Sequence, residues 1–157
     1  MKITIIGTGY VGLVTAACFA SRGNYVKCLD IDKEKIDSLN RCIVPIFEPG
    51  LKRSIADSMN KNTISFTDNY KSALSDSNVI FICVGTPMRD DGSSNLKYVY
   101  DSSKLIGKYL RNGSIVITKS TIPVGTTYKV KNIILNSIGE RDEDIEFEIA
   151  NNPEFLK

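Results

Sequence analysis

A glycine-rich hexapeptide near the start of the chain constrains the fold more than any other feature. Residues 7–12 read GTGYVG, and the apolar run KITII at residues 2–6 leads directly into them. From residue 11 to about residue 22 the apolar residues have helical spacing. A G-x-G-x-x-G turn between a strand and a helix is typical of sheets in which strands and helices alternate. The sequence therefore predicts a βαβ unit at its amino-terminal end.

The same alternation continues along the chain. The patterns predict strands at 2–6, 25–30, 63–67, 79–84, 114–119 and 147–151, and helices at 11–22, 33–41, 51–60, 97–111 and 126–138. The run VIFICV at 79–84 is apolar on both faces, as in a strand that helices cover on both sides. We therefore predict an α/β fold, a doubly wound parallel sheet (Rossmann-like) of about six strands, forming a single domain over residues 1–157.

Composition excludes several classes of protein. The chain is 42% hydrophobic and 24% charged with a net charge of +2, so it lacks the basic face that a nucleic-acid partner requires. Its apolar runs are far shorter than the roughly 20 residues that span a bilayer, so we expect no membrane association and a cytoplasmic protein. With four cysteines, no C-x-x-C pair and no histidine, we expect free thiols and no metal site.

Each glycine of the hexapeptide has a separate expected role. Gly7 permits a tight turn, Gly9 allows the backbone to approach a pyrophosphate, and Gly12 allows the helix to pack against the strand. The amino-terminal end of the following helix attracts phosphates through its free amides and its dipole. The glycine turn therefore predicts a dinucleotide site.

An acidic residue supports the same prediction. Asp30 ends the second predicted strand, at about the distance from the glycines that dinucleotide-binding folds require. Its carboxylate can accept hydrogen bonds from ribose hydroxyls and repels a 2′-phosphate, which favours NAD over NADP. Lys33 and Lys35 lie nearby and leave NADP open as an alternative.

Three loops at the carboxyl ends of predicted strands distinguish two classes of function. They are VGTP (84–87), KSTIPVGTT (119–127) and NNPEFLK (151–157), and they carry hydroxyl and carboxyl groups beside proline or glycine. Ligands of doubly wound sheets bind at this edge, so the loops favour an enzyme domain. The alternative is a nucleotide-sensing regulatory module of the channel-gating type. The first thirty residues fit both classes and do not distinguish them.

Six motifs in order carry a family resemblance. With GTGYVGL, the DID of residues 30–32, PIFEPGL (45–51), VGTP, KSTIPVGTT and NPEFLK, the whole chain resembles the NAD-binding domain of the UDP-glucose/GDP-mannose dehydrogenases. The NPEFL motif argues against the relatives that oxidise N-acetylmannosamine. The first residues of KSTIPVGTT are more similar to those of the UDP-glucose enzymes than to those of the GDP-mannose enzymes. Cys42 departs from the family, because it stands where a glycine is common. A cysteine would be strained there if the turn needs a positive φ.

The resemblance implies an activity and site residues. Family members oxidise the sugar C6 hydroxyl of UDP-glucose to a carboxylate, giving UDP-glucuronate, with two NAD⁺ in sequence and a cysteine thiolate that holds the intermediates. By resemblance, Glu154 takes part in proton transfer or water activation, and Thr121 holds that water or the cofactor. Tyr10 and Val11 would offer backbone amides to the pyrophosphate. Motif and resemblance together predict the cofactor-binding residues Gly7, Gly9, Tyr10, Val11, Gly12, Asp30, Lys35, Val84, Gly85, Thr86, Pro87, Thr121 and Glu154.

The nucleophile of the family has no counterpart among the four cysteines. Cys18, Cys28 and Cys42 lie away from the predicted reaction edge, and Cys83 is expected inside an apolar strand. The G-G-x-C-type motif, a second catalytic glutamate and the UDP-binding domain of the family also find no match within 1–157. We therefore expect a truncated domain that binds NAD weakly and oxidises nothing by itself, from a parent enzyme that forms a homodimer.

Overall fold

The computed structural model describes residues 1–153, which form a six-stranded parallel sheet. The strands are β1 (Lys2–Ile6), β2 (Tyr25–Leu29), β3 (Ile64–Thr67), β4 (Val79–Ile82), β5 (Ser114–Thr118) and β6 (Phe147–Asn151). Their order across the sheet is β3-β2-β1-β4-β5-β6, and every neighbouring pair is parallel. The predicted fold class, a doubly wound parallel sheet with helices on both faces, is confirmed.

Six helices connect and cover these strands. They are α1 (Tyr10–Ser21), α2 (Lys33–Asn40), α3 (Leu51–Asn60), α4 (Tyr70–Leu74), α5 (Lys97–Tyr109) and α6 (Thr126–Ile138). The apolar side chains of α1, α2 and α3 pack with one face of the sheet, and those of α4, α5 and α6 pack with the other. Helices on both faces are what parallel strands with helical crossovers require.

The two cores follow from the alternation of side chains along the strands. Ile3 and Ile5 of β1 point into the core under α1 to α3, whereas Ile6 belongs to the core under α4 to α6. In β4, Phe81 joins the first core and Ile80 the second, which accounts for the unbroken apolar run in that strand.

The sequence patterns located the elements well but missed one helix and misplaced several strand ends. The five-residue helix α4 was not predicted, since one turn of helix has no measurable period. Strands predicted to end at residues 30, 84 and 119 end at Leu29, Ile82 and Thr118. The residues beyond these ends leave the sheet and form loops, and these loops build the site described below.

The 41–50 segment, which precedes α3, contains the position whose conformation the sequence left open. Cys42 has φ +58°, a conformation that residues with a side chain rarely adopt. Its side chain is half-buried and packs against the first core. The turn therefore does use a positive φ, which explains why a glycine is common at this position in the family and why the cysteine is strained here.

Candidate functional site

The glycine turn sits at the carboxyl end of β1, where the strand order reverses. Gly7 has φ +98° and donates its N–H to the carbonyl of Leu29 at 2.7 Å. A Cβ atom on Gly7 would lie 2.6 Å from the carbonyl oxygen of Cys83, and one on Gly12 would lie 1.9 Å from the carbonyl oxygen of Gly7. Gly7 is therefore required by its positive φ in the turn, as predicted, and by close backbone packing; Gly12 is required by the close packing of α1 that was predicted for it.

Gly9 differs from its two neighbours in the motif. A Cβ atom there would have no heavy atom within 4 Å, so the space beside it is open. Gly9 is also the N-cap of α1, and the first hydrogen bond of the helix runs from the Leu13 N–H to the Gly9 carbonyl at 2.9 Å. The first turn of α1 contains no acidic residue, so its positive dipole end is not neutralised from within the helix. This open helix terminus suits a bound anion.

Asp30 follows β2 and is held by four hydrogen bonds. Its Oδ2 accepts from the Thr8 N–H at 2.8 Å, the Thr8 hydroxyl at 2.6 Å and the Lys35 ammonium at 3.1 Å. Its Oδ1 accepts from the Asp32 N–H at 3.1 Å. Burial acts to raise the pKa of this carboxyl, but the hydrogen bonds from Thr8, Asp32 and Lys35 outweigh it and lower the pKa below the usual value. Asp30 is therefore a fixed, ionised acceptor.

A cleft of about 450 Å³, which we call the Asp30 cleft, opens between the glycine turn and α5. On the side of β1 and β2, the cleft is lined by four residues that the sequence predicted for the same site: Gly7, Gly9, Asp30 and Lys35. Its opposite wall was not predicted, because periodicity within a helix does not reveal which face meets a ligand. That wall consists of Tyr70, Lys97, Tyr98, Asp101, Ser102 and Leu105.

Tyr70 connects the two walls of the Asp30 cleft. Its hydroxyl is hydrogen-bonded with Ser102, and it lies close enough to Asp30 and Asp101 for their charges to act on it. Burial, together with these two carboxylates, raises the pKa of Tyr70 above its usual value. The side chain therefore remains a neutral phenol at physiological pH.

A second cleft of about 270 Å³, the Thr121 cleft, adjoins the first and shares Gly9, Cys83, Val84 and Gly85 with it. Its other lining residues are Tyr10, Val11, Thr86, Lys119, Ser120 and Thr121. The loops after β4 and β5 are joined here by Ser120, whose hydroxyl donates to the Val84 carbonyl at 2.7 Å. Ser120 was not predicted as a site residue.

Two further side-chain contacts border the Thr121 cleft. The Lys119 ammonium donates to Asn152 Oδ1 at 3.2 Å and so connects the loops after β5 and β6. The Tyr10 hydroxyl donates to Glu48 Oε2 at 2.9 Å, which brings the PIFEPGL segment against the start of α1. Loops that are distant in sequence thus converge on one sheet edge.

Not every predicted site residue lies in these clefts. Gly12 is buried beneath the glycine turn rather than exposed to either cleft. Pro87 is exposed and lies outside the lining of both clefts, and its carbonyl accepts from the Asn95 N–H at 2.8 Å. Glu154, predicted from the resemblance, lies outside the described residues.

The cysteines differ in accessibility. Cys83 was expected inside a strand, but β4 ends one residue earlier, at Ile82. The Cys83 N–H still donates to the Ile6 carbonyl of β1 at 2.8 Å, so it lies at the edge of the sheet. It is buried and lines both clefts. Burial and the neighbouring Cys83 raise the pKa of Cys28, which is fully enclosed. Cys18 is exposed on α1.

Two general features of the described residues bear on function. Among residues 1–153, histidine, cysteine and carboxylate side chains form no group of three that could hold a metal ion. Within the same range, no helix has the length and apolar character needed to cross a bilayer.

The two clefts adjoin at the start of α1 through their shared lining residues, and we refer to them together as the groove. It offers an anion site at its middle, a fixed carboxylate at one end, and hydroxyl-bearing loops at the other. A dinucleotide has the matching parts, with a pyrophosphate at its middle and a ribose diol on either side. The residues present therefore fit a dinucleotide.

Comparison with known proteins agrees with this geometry. Residues 1–157 match the NAD binding domain of the UDP-glucose/GDP-mannose dehydrogenase family. A UDP-glucose 6-dehydrogenase of Pseudomonas aeruginosa is 44% identical over 157 residues, and UDP-glucose 6-dehydrogenase YwqF of Bacillus subtilis is 41% identical over 157 residues. Each match covers 100% of this chain and 35% of the relative, so the chain spans about a third of the length of these relatives.

Solved structures resemble the fold closely. A GDP-mannose dehydrogenase from Pseudomonas aeruginosa, crystallised as a ternary complex, superposes with a TM-score of 0.92 and 37% identity, covering 100% of this chain and 37% of that one. A UDP-D-ManNAc dehydrogenase from Pyrococcus horikoshii superposes with a TM-score of 0.91 and 34% identity, with the same coverage. Dehydrogenases named for different sugars thus share this domain.

Proposed function

The chain belongs to the UDP-glucose/GDP-mannose dehydrogenase family as its NAD binding domain, and from this premise we propose that it positions NAD⁺ for the oxidation of UDP-glucose. The observation that carries the proposal is the convergence of the glycine turn, the start of α1 and the Asp30 carboxylate on one groove. Each is on a different element, and together they match the parts of a dinucleotide.

The residues that would hold the cofactor can be assigned by their chemistry. The amides of Tyr10 and Val11 at the start of α1 would bind the pyrophosphate, beside the open space at Gly9. Asp30 would accept hydrogen bonds from the adenosine ribose. Val84, Gly85 and Thr86 in the loop after β4 would border the remaining part. When bound, NAD⁺ supplies the hydride acceptor for alcohol oxidation, which side chains alone cannot provide.

The absence of a free cation beside Asp30, within residues 1–153, favours NAD⁺ over NADP⁺. Lys35 is engaged with Oδ2 of Asp30 at 3.1 Å, and Lys33 lies 3.8 Å from a carboxylate oxygen of Asp68. A 2′-phosphate would meet the Asp30 carboxylate at this position, and neither lysine is left unpaired to offset the repulsion. The pairing of Lys35 with Asp30 therefore supports NAD⁺ over the alternative that the sequence left open.

We propose UDP-glucose as the substrate because the chain is similar to enzymes that are named for it. The curated relatives described above are UDP-glucose 6-dehydrogenases, at 44% and 41% identity. The start of the loop after β5, Lys119 to Thr121, supports the same substrate. GDP-mannose is the second candidate, because a GDP-mannose dehydrogenase shares the fold at 37% identity. The match of the whole chain to a dehydrogenase family favours an enzyme domain over a sensor module.

Two residues are proposed for the chemistry itself. Thr121 is exposed at the Thr121 cleft together with Val11 and Thr86, where its hydroxyl can hold a water molecule or the cofactor. By resemblance to the family, Glu154 would move a proton or activate the water that completes oxidation, as a carboxylate can.

We propose that the cysteine nucleophile of the reaction is none of the four in this chain. Cys28 is fully buried and its pKa is raised, which keeps it an unreactive thiol. Cys18 is exposed on α1, and Cys42 packs against the first core beside α1 to α3. Cys83 borders both clefts but is only 8% exposed, which limits its access to a substrate. The 157 residues would then bind NAD⁺ without completing an oxidation. From the resemblance alone we propose a homodimeric, cytoplasmic enzyme that uses two NAD⁺ per turnover.

Calorimetric titration of the 157-residue chain tests the cofactor assignment. We expect NAD⁺ to bind and NADP⁺ to bind at least about tenfold more weakly, because the 2′-phosphate would face the Asp30 carboxylate. Equal binding of the two nucleotides would contradict the role given to Asp30. Failure of both to bind would contradict the cofactor proposal for this chain.

A substrate panel tests the proposed reaction. A protein that joins this domain to the catalytic part of its family is mixed with NAD⁺ and either UDP-glucose, GDP-mannose or UDP-N-acetylmannosamine, and NADH is followed by absorbance. We expect UDP-glucose to be oxidised most efficiently, with two NADH formed for each sugar. A higher kcat/KM for GDP-mannose would establish the second candidate instead. The same assay on residues 1–157 alone should give no NADH.

A further inference from the structure

Thr8, the middle residue of the first G-x-G, makes a contact that the glycine motif does not explain. Its backbone N–H and its hydroxyl both donate to the same oxygen of Asp30, Oδ2, at 2.8 and 2.6 Å. Thr8 is 1% exposed and the Asp30 side chain 10% exposed, so water does not compete strongly for either bond. The turn after β1 is thereby joined directly to the end of β2.

The two oxygens of Asp30 are used unequally. Oδ2 receives three donors, two from Thr8 and one from Lys35. Oδ1 receives one hydrogen bond among the residues that the structure describes, from the Asp32 N–H at 3.1 Å. Because each carboxylate oxygen can accept about two hydrogen bonds, Oδ1 has capacity for another donor whereas Oδ2 is saturated.

Saturation of one oxygen fixes the orientation of the carboxylate. A free aspartate side chain rotates about two bonds, and ordering it for a ligand costs free energy on binding. Two donors from one residue, set by the rigid turn between β1 and α1, remove that freedom before any ligand arrives. Charge-assisted hydrogen bonds of this length are among the stronger ones in proteins.

We propose that Thr8 is a positioning residue for the dinucleotide: it holds Asp30 so that Oδ1 is presented to the ribose diol in the Asp30 cleft. This inference rests on the proposed binding of NAD⁺ by this chain. Thr8 does not line the Asp30 cleft and acts through Asp30. Lys35 completes the arrangement from α2, since its ammonium occupies the same oxygen as Thr8.

Thr4 provides a matched control for a merely structural hydroxyl. It is also 1% exposed, and its hydroxyl donates to the Ala73 carbonyl at 2.6 Å, away from both clefts. Replacement of Thr4 by valine therefore removes a buried hydrogen bond of the same length. Its effect on stability serves as the reference for Thr8, and no effect on nucleotide binding is expected.

The experiment measures the Kd of NAD⁺ by calorimetry for the 157-residue chain and its variants. Thr8→Val retains the shape and the backbone N–H but removes the hydroxyl. We expect it to weaken NAD⁺ binding about tenfold. Thr8→Ser restores the donor and should bind within about twofold of the wild type. Thr4→Val should bind NAD⁺ as the wild type does, although it lowers the melting temperature.

A double-mutant cycle separates positioning from a general effect on the fold. If Thr8 acts through Asp30, Thr8→Val in an Asp30→Ala background should change the Kd by less than about twofold. An equal loss in both backgrounds, or wild-type binding by Thr8→Val, would overturn the inference while leaving the cofactor assignment intact. Failure of the wild type to bind NAD⁺ would overturn both. Circular dichroism and thermal melting of each variant establish that it is folded.

Discussion

The two ends of the groove are built differently. At the Asp30 end, one carboxylate receives four hydrogen bonds from three residues, and the side chain that carries it is mostly buried. At the Thr121 end, the hydroxyl-bearing residue is exposed, and the loops around it are joined through neighbours such as Ser120 and Lys119. The first end is preorganised by this chain, whereas the second presents functional groups whose positions are set less directly. We infer that affinity for the nucleotide resides mainly at the Asp30 end.

The glycine turn between the two ends gives the largest expected effect. Gly12→Ala would place a Cβ atom 1.9 Å from the Gly7 carbonyl oxygen, so α1 must move away from β1. We expect the free energy of unfolding to fall by more than about 3 kcal/mol, with loss of both ends of the groove. Urea denaturation of the variant measures this change.

Gly9→Ala is the matched control for that prediction. No heavy atom lies within 4 Å of its added Cβ, so the fold should lose less than about 1 kcal/mol. Binding of NAD⁺ should nevertheless weaken at least about tenfold, because the methyl group enters the space beside the start of α1. Wild-type stability of Gly12→Ala would contradict the close packing of α1 on β1.

Substitution at each end tests the comparison directly. We expect Asp30→Ala to weaken NAD⁺ binding to the 157-residue chain about 30-fold, roughly 2 kcal/mol, because an ionised acceptor is lost. Thr121→Ala should change the Kd less than about twofold, since its hydroxyl is exposed. Calorimetry on both variants decides the matter. A larger effect at Thr121 would reverse the comparison.

The pH dependence of stability sharpens the description of the Asp30 end. Folding lowers the pKa of Asp30 below its unfolded value of about 3.9, because the hydrogen bonds to its carboxylate outweigh the effect of burial. Its ionised form therefore stabilises the fold above pH 4, and this contribution is lost as the pH falls through the lower, folded-state pKa. Lys35 and Tyr70 are the titratable side chains that act on it from α2 and α4.

We expect wild type and Asp30→Asn to differ by about 1 kcal/mol in free energy of unfolding between pH 5 and 8. The difference should shrink below about pH 4. Urea denaturation across this range measures it, and comparison of the two proteins cancels contributions from other groups such as Asp76. A difference that grows in acid would show that the carboxylate is destabilised by the fold.

The strained turn after α2 gives the smallest expected effect. Cys42→Gly removes the cost of φ +58° but also loses a half-buried side chain, so a net gain of about 0.5 kcal/mol is expected. Asn62, at φ +54°, is the control, because asparagine tolerates this conformation and Asn62→Gly should give no gain. Thermal melting distinguishes them, and destabilisation of Cys42→Gly would show that packing outweighs strain.

Much of the fold could be predicted from the sequence, because its signals are local. Strand β1, the glycine turn and α1 form one continuous pattern, and Asp30 lies at the distance that the turn requires. The departure at Cys42 from the family's glycine pointed to a turn of special geometry but did not decide its φ, which is +58°. In each of these cases, the signal is a backbone conformation or a spacing of apolar residues that is visible within one short stretch of sequence.

The missed features depend on contacts between distant parts of the chain. The bond from Thr8 to Asp30 joins β1 to β2, and Tyr70 lines the cleft from a helix too short for its period to be detected. The wall supplied by α5 was missed because spacing alone does not reveal which face of a helix meets the cleft. An Asn-x-x-Ser pattern, in which the side chain of Asn69 accepts from the Ser72 N–H, could have revealed the start of α4.

The order of the strands determines where the two halves of the sheet meet, and therefore which parts of the chain a bound ligand contacts. Residues 2–67 supply β1 to β3 and residues 79–151 supply β4 to β6, and within the described sheet these halves share one junction, the pairing of β1 with β4. A molecule seated across the carboxyl end of that junction touches Asp30 from one half and Gly85 from the other. A bound ligand therefore contacts both halves of the chain. At a free ligand concentration of 100 times the Kd, it stabilises the native state by about 2.7 kcal/mol.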